Sequence, residues 1–135
     1  MDNFTKSPID KVKVLVEAGA DVNYKNEFSD FALKEALIFR HYDIILFLLN
    51  NGADYSQVIH ERSTEDGNGY KVYIVNALRE HILPLESDEY KQKMEIVAFL
   101  KKNGVDYRTS PIPDFVVENV KKRYPRNWQE YLEKY

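Results

Sequence analysis

Apolar residues recur along much of this chain at the spacing of helices that bury one face. Ile9, Val12, Leu15 and Val16 keep the three-and-four rhythm of an amphipathic helix. Ser7 precedes them as an N-cap, and Pro8 takes the first helical position, where its missing N–H costs nothing. The run Ile44-Ile45-Leu46-Phe47-Leu48-Leu49 is apolar all round, which predicts a helix covered on most sides, with Leu46 pointing outward. Three segments resemble one another: KVLVEAGADVN from Lys13, LFLLNNGADYS from Leu46 and AFLKKNGVDYR from Ala98. Each is an apolar helical stretch ending in Gly, a small apolar residue and Asp. Gly19, Gly52 and Gly104 are therefore expected to end helices in the left-handed conformation. Asp10, Asp43 and Glu95 are expected in first turns, where the helix dipole favours a negative charge.

The spacing of these segments sets the organisation. Gly19 and Gly52 lie 33 residues apart, and Gly52 and Gly104 lie 52 apart. A fixed period of that size marks units that cannot bury their apolar faces alone and stack to do so. Leu33, Ala36, Leu48, Ile74, Ala77 and Leu100 are the expected core. Ala36 to Ala77 exceeds one period by eight residues, which enlarges the loop ahead of the third unit's first helix. That stretch, His60 to Tyr70, is nearly free of apolar residues, so it is expected in solvent. Its Asp66-Gly67 and Asn68-Gly69 pairs favour tight turns. Ala77 to Gly104 exceeds the matching interval by eleven residues, which places a second insertion, Ile82 to Tyr90, between two helices. There Pro84 is expected to end or kink the preceding helix. Ser87 is expected to cap the next, with Tyr90 in its first turns. Near the C-terminal end, Phe115, Val116, Val120, Trp128 and Leu132 are expected to seal the core.

A 33-residue period closing on Gly-Ala-Asp resembles the ankyrin repeat. The middle unit carries the likeness best, since His41-Tyr42-Asp43-Ile44-Ile45 resembles the family's Gly-His start of a second helix, with Arg40 where Gly is usual. The departures are equally specific. The family's Thr-Pro-Leu-His reads Phe31-Ala32-Leu33-Lys34 and then Val72-Tyr73-Ile74-Val75, so only the inward apolar position survives. The resemblance implies an all-α, ankyrin-like solenoid of stacked antiparallel helix pairs with irregular, enlarged loops in the third unit. As one domain over 1–135, it divides into a half-repeat cap at 1–24, a repeat at 25–57, a repeat with insertions at 58–109 and cap helices at 110–135.

Composition narrows the chemistry. No cysteine is present, so disulfides, thiolate catalysis and zinc–thiolate sites are excluded. The formal net charge of -3 argues against nucleic acid as the main partner and suits a basic protein better. No apolar run reaches membrane-spanning length, and MDNFTKSPID lacks a signal core, so a cytoplasmic protein is expected. With 10 Tyr in the chain, about half of the aromatic rings are expected to fill a thin core and the rest to serve a surface. His41, His60 and His81 show no metal-ligand spacing. His41 reads as the family's structural histidine, and His60 and His81 as surface residues. No cofactor, metal site or catalytic constellation is expected. An enzyme would have to use His60, Glu61 and Glu65, which nothing orients. A nucleic-acid binder would have to use Lys121, Lys122, Arg123 and Arg126.

The resemblance implies a protein-binding module that uses finger tips and the exposed side of the first helices. Carried over position by position, that face holds Glu27, Phe28, Asp30, Ile38 and Phe39 in the middle unit. In the third it holds Arg62, Glu65, Asp66, Tyr70, Lys71, Arg79 and Glu80. Size and acidity resemble those of small bacterial immunity proteins with this fold, which neutralise a toxin. The alternative is an adaptor or effector of viral or intracellular-bacterial origin. The free protein is expected to be a monomer.

Overall fold

The computed structural model describes residues 7–135. The opening of the N-terminal half-repeat, and Met1 to Lys6 of the segment read for a signal core, lie outside them. The described residues form seven helices and one two-stranded hairpin, a mostly helical fold. The chain falls into two compact units, Met1–Tyr55 and Ser56–Tyr135.

The first unit contains α1 (Pro8–Glu17), α2 (Ala32–Ile38) and α3 (Tyr42–Asn50). Helix α1 starts where the caps require: the Ser7 hydroxyl accepts from the Asp10 N–H, and Pro8 opens the first turn. It buries no residue fully. Helices α2 and α3 form a tight antiparallel pair around Phe31, Leu33, Ala36, Leu37, Ile45, Leu48 and Leu49, all buried. Leu46 is half-exposed, in keeping with its outward position.

The recurring Gly-x-Asp has one physical cause in each copy. The residue after Gly19, Gly52 or Gly104 donates its N–H back to the carbonyl of Leu15, Leu48 or Leu100, at 3.0, 2.9 and 2.8 Å. Each glycine donates one turn back as well, and each has a positive φ, at 98, 91 and 87°. This double closure of a helix end needs a left-handed residue, which glycine adopts without a Cβ penalty. The Asp then fixes the exit, since Asp21 and Asp106 each accept from the N–H two residues on, in Asn23 and Arg108.

Helix α2 ends by the same closure with the wrong residue. The Arg40 N–H donates to Leu37 O and the His41 N–H to Ala36 O, and Arg40 holds φ 57°. A residue with a Cβ is strained there. Arg40→Gly is therefore expected to raise the unfolding free energy by about 0.5–1 kcal/mol, after glycine's extra freedom in the unfolded chain offsets part of the relief. A shift of the urea midpoint to higher concentration is the expected readout, and a shift to lower concentration would contradict the strain.

The second unit opens with the hairpin β1 (His60–Ser63) and β2 (Gly69–Val72), followed by α4 (Ile74–Arg79), α5 (Asp88–Lys102), a 3-10 turn at Tyr107–Thr109, α6 (Asp114–Arg123) and α7 (Trp128–Lys134). Ile74, Ala77 and Leu100 are buried as expected. Ser87 caps α5 by accepting from the Tyr90 N–H. That cap sets the start of α5 at Asp88, so Glu95 lies mid-helix, and Asp88 and Glu89 take the first-turn role expected of it. The second insertion is thus shared between loop and helix. Five of its eleven residues lengthen the connection after α4, and six lengthen α5 relative to α3. Pro84 lies in that connection, because α4 has already ended at Arg79.

Val116, Val120, Tyr131 and Tyr135 form a buried cluster joined by Ile82, Leu85, Trp128 and Leu132. Phe115 departs from the expected sealing set: it is exposed, with the Arg62 guanidinium 5.8 Å from its ring centre. Tyr124, Tyr131 and Tyr135 stack in series at 4.6 and 5.5 Å.

Candidate functional site

In the first unit, side chains around one short turn arrange the exposed surface. Asn26 accepts on its Oδ1 from the N–H groups of Phe28 and Asp30, at 2.9 and 3.0 Å. Its own N–H donates to Asp30 O, and the Ser29 N–H donates to Asn26 O. Ser29 takes the left-handed conformation that closes this turn. The result is a fixed fingertip with Phe28 at its crest, 74% exposed. Glu27 beside it is exposed, and Asp30 is half-buried and paired with Lys34 at 3.2 Å. Ile38 and Phe39, at the end of α2, are 51 and 64% exposed, so both present apolar surface to solvent. His41 faces Phe39 with ring centres 6.3 Å apart and is itself exposed. The base of the finger is pinned by Asn23, which donates to Gly52 O and accepts from the Asp54 N–H.

Beside the fingertip lies a cleft of about 330 Å³, lined by Asp21, Tyr24, Asn26, Asp30, Phe31, Ala32 and Glu35. Three carboxylates and an exposed tyrosine ring suit a cationic side chain flanked by apolar stem. Asp21, Tyr24 and Glu35 were not foreseen from sequence. Asp21 belongs to the repeat's Gly-x-Asp and Glu35 to a helix face, and only folding brings them to one cleft.

In the second unit the long finger is a β-hairpin with Arg62 opposite Tyr70 and Glu61 opposite Lys71. Glu65 and Asp66 are exposed at its tip. Asp66 accepts from the Thr64 hydroxyl and from the Asn68 N–H, and these bonds, the first above all, hold its carboxyl below the ordinary range. Tyr70 and Lys71 are exposed on β2. Arg62 is committed inward: its guanidinium pairs with the Glu80 carboxylate, whose side chain is only 16% exposed.

Arg79 corrects the expected surface assignment. It is 3% exposed and lies in the core, donating from Nε to Ser110 O at 3.0 Å and from Nη2 to Arg108 O at 3.2 Å. Its guanidinium lies 4.1 Å from the centre of the Tyr107 ring. An arginine at the last turn of α4 reads as a wet residue in sequence, but the carbonyls it satisfies come from a turn about thirty residues on. His81, expected on the surface, is also buried, and its carbonyl accepts from the buried Lys93 ammonium at 3.1 Å.

Histidine and acids of the finger do not converge. His60 and Glu61 are consecutive on a strand and therefore point to opposite faces. Among the described residues no three His, Asp or Glu side chains gather as a metal site. Within the C-terminal basic stretch, Lys121 lies over the Trp128 ring at 4.6 Å and near Glu118 at 3.8 Å, while Arg123 donates to Ile82 O. No helix among the described residues is long and apolar enough to cross a membrane.

Residues 4–49 fit the family model for ankyrin repeats that occur in many copies, and this span covers α1, α2 and nearly all of α3. No curated protein and no solved structure matches the chain.

Proposed function

We propose that this chain, whose residues 4–49 fit the model for ankyrin repeats, a class that binds other proteins, is a non-enzymatic inhibitor or immunity-type module that neutralises a basic protein partner. The carrying observation is the first unit's fingertip. A phenylalanine held 74% exposed on a turn closed by four hydrogen bonds is ordered before any partner arrives. Preordering lowers the entropy cost of binding, and exposed aromatics are the residue type that anchors interfaces. Ile38 and Phe39 add apolar area on the same unit. Asp21, Asp30 and Glu35 in the adjoining cleft supply the charge that steers a basic partner and receives its Lys or Arg. Glu65, Asp66, Tyr70 and Lys71 on the long finger form a second contact region.

The test begins with a partner captured from the native cell and purified. Phe28→Ala is expected to weaken its binding by about 2 kcal/mol or more, the range of an anchoring aromatic. The melting temperature should stay unchanged, because an exposed ring leaves no cavity. Shortening the 62–69 finger should also weaken binding. A partner that binds both variants as tightly as the parent chain contradicts the assignment. Loss of the partner's own activity at equimolar chain supports inhibition, and retained activity in the bound state points instead to an adaptor.

A further inference from the structure

We propose that Asn68, in the long finger, is a site of spontaneous covalent modification, in which the main-chain nitrogen of Gly69 attacks the Asn68 side-chain amide and converts the residue to aspartate and isoaspartate. An asparagine followed by glycine is the least hindered setting for this reaction, because glycine has no Cβ and rotates freely. The chain contains three such pairs: Asn51-Gly52, Asn68-Gly69 and Asn103-Gly104. The structure separates one from the other two.

Attack requires the asparagine side chain to be released and the following N–H to be unbonded. Asn51 meets neither condition. Its Nδ2 donates to Phe47 O at 2.8 Å, and the Gly52 N–H donates to Leu49 O. Asn103 is held identically, by Phe99 O at 2.8 Å and by the Gly104 N–H on Lys101 O. Freeing either pair means opening a helix end. Asn68 differs. The Thr64 N–H donates to Asn68 O at 2.9 Å, which makes Thr64 and Asn68 a hydrogen-bonded pair of the hairpin. Such pairs alternate along an antiparallel ladder, so Gly69, opposite Ser63, turns its N–H outward to water. Asn68 and Gly69 are both exposed. The Asn68 side chain lies near the exposed Asp66 carboxylate, and an exposed polar contact of that kind is weak.

The step balances without an added oxidant or reductant. The Gly69 nitrogen bonds to Asn68 Cγ, closing a five-membered imide, while the Cγ–Nδ2 bond breaks. Ammonia leaves with the proton that Gly69 gives up. Water then opens the imide at either carbonyl, giving aspartate or isoaspartate. Asp66-Gly67 in the same turn is not equivalent. The Gly67 N–H donates to Thr64 O at 3.1 Å, and the Asp66 carboxyl, kept ionised by the Thr64 hydroxyl and the Asn68 N–H, is a poor electrophile. Either product adds a negative charge beside Glu65 and Asp66. Isoaspartate also inserts a backbone atom ahead of Gly69 and so disturbs the Ser63–Gly69 register. The charge and shape of the finger thus change with the age of the molecule, whatever its partner.

The test incubates the full-length chain at mildly alkaline pH, in buffer and in denaturing urea, and maps the digested peptides by mass spectrometry with separation of isoaspartate. In buffer, Asn68 is expected to convert at least roughly tenfold faster than Asn51 and Asn103, which react only when their helix ends open locally. In urea the three rates should converge. Equal rates in the folded chain overturn the proposal, as does an Asn68 that survives in buffer while converting in urea. A preference for Asn68 that persists undiminished in urea also overturns it, since the fold would not be its cause.

Discussion

Leu48→Ala is expected to destabilise the protein by about 2–5 kcal/mol, the range for removing a buried leucine from a packed core. Leu48 is 1% exposed and sits in the last turn of α3, two residues before its end. Its position matters in two ways. The side chain is packed in the buried core of the first unit, among Leu33, Leu37, Ile45 and Leu49. Its carbonyl also accepts from the Ala53 N–H in the closure of the helix end, so the backbone there resists collapse. A site that cannot relax keeps its cavity, which places the cost toward the upper part of the range. Urea unfolding followed by far-ultraviolet circular dichroism provides the measurement. Phe39→Ala is the matched control: a larger side chain, but 64% exposed, expected to change stability by no more than about half a kcal/mol. Similar losses in the two variants would mean that the helix register is wrong.

The features legible in the sequence are those fixed by a few neighbouring residues. Ser7, Pro8, Ser87 and the Gly-x-Asp closures act within one helical turn, so their residue types announce them. The inward positions Leu33, Ala36, Ile74 and Ala77 follow from a period that the chain repeats. Reading failed where distant residues decide. The repeat spacing put Glu95 in a first turn, but the Ser87 hydroxyl starts α5 two turns earlier. Arg79 and His81 look polar and therefore wet, but folding brings Ser110, Arg108 and Lys93 to satisfy or use their polar groups. Phe115 looks like core, but it is left at the surface beside Arg62. Within the candidate site, the exposure of Phe28 and Phe39 followed from their repeat positions. The turn that orders Phe28 depends on the Asn26 side chain, and the acidic cleft depends on residues that are not neighbours in sequence.

Arg79→Ala is expected to cost about 3–5 kcal/mol, although it removes a charge from the interior. The guanidinium bonds two buried or half-buried carbonyls, of Ser110 and Arg108, and lies on the faces of Tyr107 and Tyr135 at 4.1 and 5.3 Å. Each hydrogen bond to a charged group contributes about 1.5–3 kcal/mol, and a desolvated cation on an aromatic face adds about 2. Against this stands the cost of burying the cation, which truncation recovers only in part, because the two carbonyls are then left without donors. The surroundings are built to hold it. Burial pushes the Tyr107 and Tyr135 hydroxyls above the ordinary phenol range, so both stay protonated and donate, Tyr107 to Tyr135 O and Tyr135 to Arg79 O. Arg79 thereby ties α4, the 3-10 turn and the C-terminal tyrosine together. Arg79→Lys keeps the charge but loses the planar fork that reaches two carbonyls at once, so it should recover only part of the loss. Trp128, the one tryptophan, packs on the cluster formed by Val116, Val120, Tyr131 and Tyr135, and its fluorescence during urea unfolding reports the second unit directly. Lys71→Ala, at an exposed strand position, should leave that transition within about half a kcal/mol of the parent. An Arg79→Ala transition equally close to the parent would mean that the guanidinium holds nothing together, and would return Arg79 to the candidates for partner contact.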